Sequence, residues 1–494
     1  MSARDAGESE RELPETRLLI GGRWTDAASG AVFEVRDPAT GGVIASVADA
    51  DVEDVDRAIS GASSAFERWR NGPARERGRL LAAGARLLRE RAPTIARVLT
   101  VEQGKPLAEA ATEVEASAGF LEWFAGEAER VYGQVVAPQH PHQRLIVLRQ
   151  PVGVAAAITP WNFPALMLAR KIAPALAAGC TSIVKPAPET PLTAAALVQC
   201  LVDAGAPDGV VSLVASTRSR RVAERLFDDP RVRKVSFTGS TEVGRALIRM
   251  SSKNVTRISL ELGGHAPYVV FADADLEVAA DQVVASKFRN SGQTCVCANR
   301  CYVERPAYEP LLELIRDRAE RLVLGPGLDA STTMGPLIDA GAAAKVEQQV
   351  ADAVALGARL VTGGGRATVA GCEDGTFFAP TVLADTSGDM AIARDETFGP
   401  ALAVAAFDSE EEVVRLANDT PYGLAAFVHT RDYARLLRVA ERLDYGIVGV
   451  GTGAVTAPNA PFAGRKESGY GVEGGAAGID EYLATKYLVL DGVG

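Results

Sequence analysis

Residues Val152 to Pro164 read VGVAAAITPWNFP, and this stretch decides the fold. Its first seven residues are small or apolar without polar alternation, the pattern of a strand buried on both faces. Pro160 and Pro164 then end it. Proline fixes φ and offers no amide hydrogen, so a turn must follow, and Pro164 suits the first position of a helix. From Pro151 to Ala169 no charged residue occurs for nineteen positions, enough to suggest a membrane span. The prolines argue against that, because they would leave backbone groups unsatisfied in lipid.

Downstream the same unit repeats. Ala165–Ala178 reads as a helix, Thr181–Val184 as a strand, and Leu192–Ala204 as a helix closed by Gly205. Strands follow at Val210–Val214, Val235–Phe237 and Tyr268–Phe271, with helices at Arg221–Phe227 and Thr241–Met250. Strand–helix alternation means βαβ units and a parallel sheet covered on both faces, with ligands held at the C-terminal strand ends. Upstream, Asp51–Arg70 and Ala74–Glu102 read as long amphipathic helices. Residues 263 to 445 mix strands and helices again, with helices near Tyr308–Leu322 and Ala342–Leu356, and predict a second α/β domain. Tyr487–Asp491 predicts a β tail able to pair with an edge strand of its own or another subunit.

The bulk numbers fit a soluble multidomain protein. The chain has 494 residues, 47% hydrophobic and 23% charged, with a net charge of −11. That balance argues against a nucleic-acid partner, which needs clustered Lys and Arg. Met1 to Arg17 is polar and mixed in charge, so a loose arm without a secretory signal is expected. Six cysteines in such a chain predict free thiols and a cytoplasmic protein rather than a disulfide framework. Cys295, Cys297 and Cys301 lack a nearby histidine, so no metal site is expected.

Six short segments carry chemistry, and each also has a plainer reading. Gly292-Gln293-Thr294-Cys295 presents a thiol after a glycine turn, although a single cysteine is more often a small buried hydrophobe. Glu261-Leu262-Gly263-Gly264 puts a carboxylate at the end of an apolar strand, where a salt-bridged glutamate is the commoner case. Phe237-Thr238-Gly239-Ser240-Thr241-Glu242-Val243-Gly244 opens a helix with small residues that would admit a phosphate; it equally fits a simple turn. Asn162, in its proline-bracketed turn, is an oxyanion donor or an Asn serving its own backbone. Lys185, in Lys185-Pro186-Ala187-Pro188-Glu189, and Glu396, in Glu396-Thr397-Phe398-Gly399-Pro400, could each meet sugar hydroxyls or merely solvent.

Taken together and in this order, the motifs P-W-N-F-P, F-T-G-S-T-x-x-G, E-L-G-G, G-Q-x-C and E-x-F-G-P resemble the aldehyde dehydrogenase superfamily from about Leu18 to Leu490. The resemblance implies a Rossmann-type cofactor domain (residues 1–128 and 150–262) and an α/β catalytic domain (263–477). It also implies a small β oligomerisation element (129–149 and 478–494). Cys295 would be the nucleophile and Glu261 the general base. Asn162 and the Cys295 amide would form the oxyanion hole. Lys185 and Glu396 would hold the two riboses, with Thr238 and Phe398 near the nicotinamide. Trp161, Gly239 and Ser240 would line the pyrophosphate, with Gly244 and Leu262 completing the NAD or NADP site. Having both Cys295 and Glu261 argues for hydrolysis of a thioester rather than transfer to another thiol.

Lys287 to Arg300 (KFRNSGQTCVCANR) and Gly478 to Leu483 look like the succinate-semialdehyde dehydrogenase branch. That likeness implies that Arg170, Arg289 and Thr456 bind the far carboxylate of the substrate, a task suited to guanidinium. Thr456 stands where Ser is common, Ala463 where Gly is usual and Arg465 where an aliphatic residue is usual. Glutarate or 2-oxoglutarate semialdehyde, or a general aliphatic aldehyde, therefore stay open as substrates. Pro188 occupies the place of a Glu that would repel a 2′-phosphate, so NADP is tolerated beside NAD. Cys297 is a redox switch through a disulfide with Cys295, or a bystander thiol. A homodimer or homotetramer is implied. Two readings of other classes remain: a non-redox esterase or acyltransferase on the same Cys295, and a non-catalytic binding protein.

Overall fold

A computed structural model describes residues 14–492; most of the expected N-terminal arm lies outside the described residues. The strand announced by Val154 is central. Strands Val154–Ile158, Thr181–Lys185, Val211–Leu213, Val232–Thr238 and Arg257–Glu261 form a parallel sheet. In chain order their spatial order is 3-2-1-4-5, the doubly wound arrangement. The order reverses between Val154–Ile158 and Val232–Thr238, and the crevice opens there. Register brings Ile158 opposite Lys185 and Phe237, and Thr238 opposite Glu261. Four of the singled-out segments thus leave one end of one sheet.

Helix Pro164–Ala178 lies on one face and every one of its residues is buried, which explains why its sequence shows no polar stripe. Helix Val52–Asn71 covers the other face; Asp51 caps it, with Asp54 reaching back to the cap backbone. The single helix expected over Ala74–Glu102 is two, Ala74–Glu90 and Ala92–Gln103. Pro93 enforces the break: it is accepted in a first turn but not in a helix interior.

The chain crosses to a second sheet over only Leu262–His265. Ala266–Val270, the strand expected at Tyr268–Phe271, therefore belongs to this sheet and not to the first. Its order is Arg359–Thr362, Thr381–Ala384, Ala401–Phe407, Ala298–Glu304, Ala266–Val270, Ala425–His429, Ile447–Val450, parallel except for the first. Cys295 sits just before strand Ala298–Glu304, so the N-terminal ends of this sheet face the C-terminal ends of the first. Gly469–Tyr470, read from sequence within the second domain, returns to pair with Arg257–Glu261. A two-residue strand has no periodicity by which to be found.

Leu483–Asp491 pairs along its full length with Gln143–Pro151, which also pairs with Gln134–Val136. This three-stranded sheet exposes Val135, Val136, Tyr487 and Val489. Among the described residues no helix is long and apolar enough to cross a membrane.

Candidate active site

The carboxylate, the amide and the thiol named from sequence converge where the two sheets meet. Gly264 and Cys295 touch: a Cβ on Gly264 would lie 2.2 Å from the Cys295 carbonyl oxygen. Only glycine lets these two segments approach, which accounts for the second glycine of the E-L-G-G motif. Asn162 Nδ2 donates to the Gln293 carbonyl at 3.1 Å, two residues before the thiol. Asn162 Oδ1 is buried without a partner.

Cys295 is half-buried. Desolvation pushes its thiol up to about 12, the Arg170 charge opposing this and the Glu261 charge adding to it. Alkylation of Cys295 by iodoacetamide in cofactor-free protein is therefore expected to rise about tenfold per unit from about pH 7 to about pH 9, as the thiolate fraction does below its pKa. Mass mapping of the labelled peptide measures it, and a plateau within that range would show a thiolate already formed.

Glu261 ends its strand fully enclosed, and neither carboxylate oxygen has a hydrogen-bond partner. Burial holds its carboxyl well above the usual range, the Glu473 charge adding to this and Arg170 and Lys171 opposing it. Glu473 is the ionised member of this group: Lys171 Nζ donates to it and to Thr238 Oγ1 (2.7 Å), and Arg170 Nη2 lies 3.1 Å away. Burial works against the Glu473 carboxylate, but these two cations more than offset it and leave it below its ordinary value. Sequence reading missed Lys171 and Glu473. The signal lay in helix Pro164–Ala178, whose only charged residues are the adjacent Arg170 and Lys171. Cations in a helix buried all round need partners.

Arg170 is stacked on the Phe462 ring, 3.9 Å from its centroid, and its Nε and Nη2 make no aligned hydrogen bond. It is thus an ion-pair arginine with donors to spare. Arg289 is exposed and lies 5.5 Å from the centroid of Phe163, the residue just before that helix. Thr456, in the loop after strand Ile447–Val450, is exposed and shares no hydrogen bond with either arginine among the described residues.

The residues expected at the cofactor divide between the sheets. Thr238, Gly239 and Ser240 leave the first; Ser240 caps helix Thr241–Ser251 by accepting from Val243. Gly244 fits beneath Leu262, where a Cβ would meet the leucine Cδ2 at 2.6 Å. The two therefore pack against each other. Trp161 meets Phe398 edge-on, centroids 5.5 Å apart. Glu396 Oε1 accepts from Gly264 N at 2.9 Å, and burial lifts its carboxyl to about 7. Lys185 Nζ donates to Ser219 at 2.6 Å; burial lowers it to about 8 despite Glu189 and Asp49. A cleft of about 440 Å³ lies between Ser240 and Thr241 on one side and Lys345, Glu396 and Tyr422 on the other. Small residues at a helix start, a lysine and a carboxylate around such a cleft fit a dinucleotide.

Cys297 is buried. Its thiol donates to the Gly292 carbonyl (3.4 Å) and lies beside Asn299 and Lys287. All six cysteines are free, and Cys301 is fully buried in its strand.

A half-buried thiol near an unpartnered carboxylate, with a cleft that fits a dinucleotide, is the arrangement expected of an oxidoreductase that works through a cysteine. The chain belongs to the aldehyde dehydrogenase family, whose model matches residues 24–488. It is 47% identical to a glutarate-semialdehyde dehydrogenase of Pseudomonas aeruginosa, over 98% of this chain and 99% of that one. It is 46% identical to the NADP(+)-linked succinate-semialdehyde dehydrogenase GabD of Escherichia coli, over 98% and 99%. Among solved structures, betaine aldehyde dehydrogenase from Staphylococcus aureus in complex with NAD+ superimposes with a TM-score of 0.96 at 35% identity, covering 99% of this chain and 97% of that one.

Proposed function

We propose that the protein oxidises succinate semialdehyde to succinate with NAD or NADP. The observation that carries this is Arg170, a buried guanidinium with unmet donors whose charge is felt by the Cys295 thiol. A buried unmet donor is costly unless a ligand completes it, and a carboxylate does so best. Arg289, exposed and in no ion pair among the described residues, would take the same carboxylate from the other side, with Thr456 beside it. Two relatives named for ω-carboxylate semialdehydes support this, and glutarate semialdehyde is the nearest alternative.

Cys295 Sγ adds to the aldehyde carbon as a thiolate, and the oxygen that turns negative is met by Asn162 Nδ2 and the Cys295 amide. Asn162 Nδ2 gives one hydrogen to the Gln293 carbonyl and keeps its second for this oxygen. A dinucleotide held there would supply the acceptor for the hydride that the thiohemiacetal loses. The thioester carbon is then attacked by a water whose proton Glu261 takes, and the Cys295 thiolate leaves. Lys185 and Glu396 would hold the riboses, Gly239, Ser240 and Trp161 the pyrophosphate, and Thr238 and Phe398 the nicotinamide; Gly244 and Leu262 shape the floor. Pro188, standing where a Glu would repel a 2′-phosphate, supports NADP beside NAD.

Reduced-nicotinamide absorbance with succinate semialdehyde, glutarate semialdehyde and hexanal tests this. Arg289→Ala is expected to lower kcat/KM for succinate semialdehyde about 10- to 100-fold, the worth of a charge-assisted hydrogen bond. Hexanal should change less than about threefold. Should hexanal be preferred by the wild type, the arginines are structural and the substrate reading fails.

The division into cofactor, catalytic and oligomerisation parts belongs to the same proposal. So does a homodimer or homotetramer built through the Gln134–Val136, Gln143–Pro151 and Leu483–Asp491 sheet, supported by the apolar side chains it exposes. Six free thiols support a cytoplasmic location. Cys297 is proposed as the partner of Cys295 in a peroxide-driven disulfide; it must first leave its bond to Gly292.

A further inference from the structure

A second buried ion pair lies behind the site. Lys105 follows the helix that ends at Gln103, and its side chain is entirely enclosed. Its ammonium donates to Glu113 Oε2 at 2.6 Å and to the backbone carbonyl of Asn162 at 2.7 Å, and it rests 3.8 Å from the Phe163 ring centroid. The other Glu113 oxygen accepts from the Ala165 and Leu166 amides at 2.9 and 3.2 Å. Helix Pro164–Ala178 has no capping side chain of its own, so Glu113 serves in its place.

One turn earlier on the Glu113 helix, Leu107–Glu127, Glu109 Oε2 accepts from Asn290 N at 2.8 Å. Asn290 has φ of +51°, in the left-handed region, and its Nδ2 donates to the Asn162 carbonyl at 3.0 Å and the Gln293 carbonyl at 3.3 Å. Two carboxylates spaced i, i+4 thus grip the two segments that must meet, one the turn of Asn162, the other the loop of Cys295. A buried ion pair is a weak contributor to stability, and an apolar pair would fill the same space, so geometry is the better reason for it.

We propose that Lys105, with Glu113 and Glu109, is a positioning clamp that fixes the Asn162 amide relative to Cys295 for oxyanion stabilisation. The inference rests on the roles given above to Asn162 and Cys295. Lys105 touches no reacting atom; it acts through the Asn162 backbone. A displacement of about 1 Å at such a site costs on the order of 100-fold in rate.

The test compares Lys105→Met/Glu113→Gln with wild type in two reactions of the full-length enzyme. Glutamine keeps a carbonyl oxygen for the Ala165 and Leu166 amides. The first reaction is single-turnover oxidation of succinate semialdehyde with enzyme in excess over aldehyde, at saturating NAD or NADP. The second is alkylation of Cys295 by iodoacetamide, which needs a thiolate but no oxyanion donor. The single-turnover rate is expected to fall about 10- to 100-fold, while alkylation and the apparent cofactor KM stay within about twofold. An unchanged single-turnover rate, or alkylation falling in step with it, overturns the clamp. Should the double variant not fold, Glu113→Gln decides by the same two rates. Asn162→Ala, run alongside, separates the two levels: if it leaves the single-turnover rate unchanged, the oxyanion role itself is wrong.

Discussion

Cys295→Ala is expected to lower kcat/KM for succinate semialdehyde by at least about 10⁴-fold, with cofactor affinity held within about twofold. Without the sulfur there is no thiohemiacetal, and the aldehyde carbon carries no alkoxide from which a hydride can be expelled. No other thiol can take over. Cys297, two residues on, is buried and donates to Gly292, and Cys301 is enclosed in its strand. The substitution removes one half-buried atom, so the sheets, the Gly264 contact and the cleft around Ser240 and Glu396 remain. Steady-state formation of reduced nicotinamide gives the first number, and quenching of protein fluorescence on cofactor binding gives the second. Residual activity above about 1% would mean that hydride leaves without a covalent intermediate. Turnover of an ester by the wild type with no nicotinamide, and none of aldehyde with it, would instead favour the esterase reading.

The parts of the fold legible in sequence are those fixed by local rules. Val154–Ile158 is a run of small apolar residues bounded by prolines, and neighbours of that kind give away strand, turn and helix start. Sheet order is different. That Arg257–Glu261 lies beside Val232–Thr238 follows from the chain, but the reversal placing Val154–Ile158 between earlier and later strands depends on contacts between distant residues. The alternation also runs past Glu261 without a break, so the change of sheet at Leu262–His265 leaves no periodic mark. In the site, motif residues were legible because glycines and prolines bracket them. Lys171 and Glu473 were not: they pair across 302 positions, and Glu473 sits among glycines as one acid of many. Lys105 and Glu113 escaped for a further reason. They lie beyond Glu102, where no element is read from sequence, and charged residues are ordinarily expected in solvent, whereas both are fully enclosed.

Glu261→Gln is expected to divide the reaction in two. The variant should release one equivalent of reduced nicotinamide per site at close to the wild-type rate, and then turn over about 10²- to 10⁴-fold more slowly, the contribution of a general base. The amide fills the space of the carboxyl and cannot take a proton from water. The acyl group therefore stays on Cys295, where intact-protein mass spectrometry would find succinyl thioester. The pH dependence follows from the site's electrostatics. Burial raises the Glu261 carboxyl well above the usual range, with Glu473 adding to it. Burial favours the uncharged carboxyl, so base function is gained as pH rises: wild-type deacylation should climb with pH, and the Glu261→Gln profile should lose that limb. The assignment separates cleanly from a role in activating the thiol. If Glu261 drew the proton from Cys295, the first equivalent would slow together with turnover and no acyl enzyme would accumulate. A full-rate first equivalent followed by a stalled second places the base at the water. A slow first equivalent would move Glu261 from hydrolysis to the nucleophile and leave the hydrolytic step without an identified base.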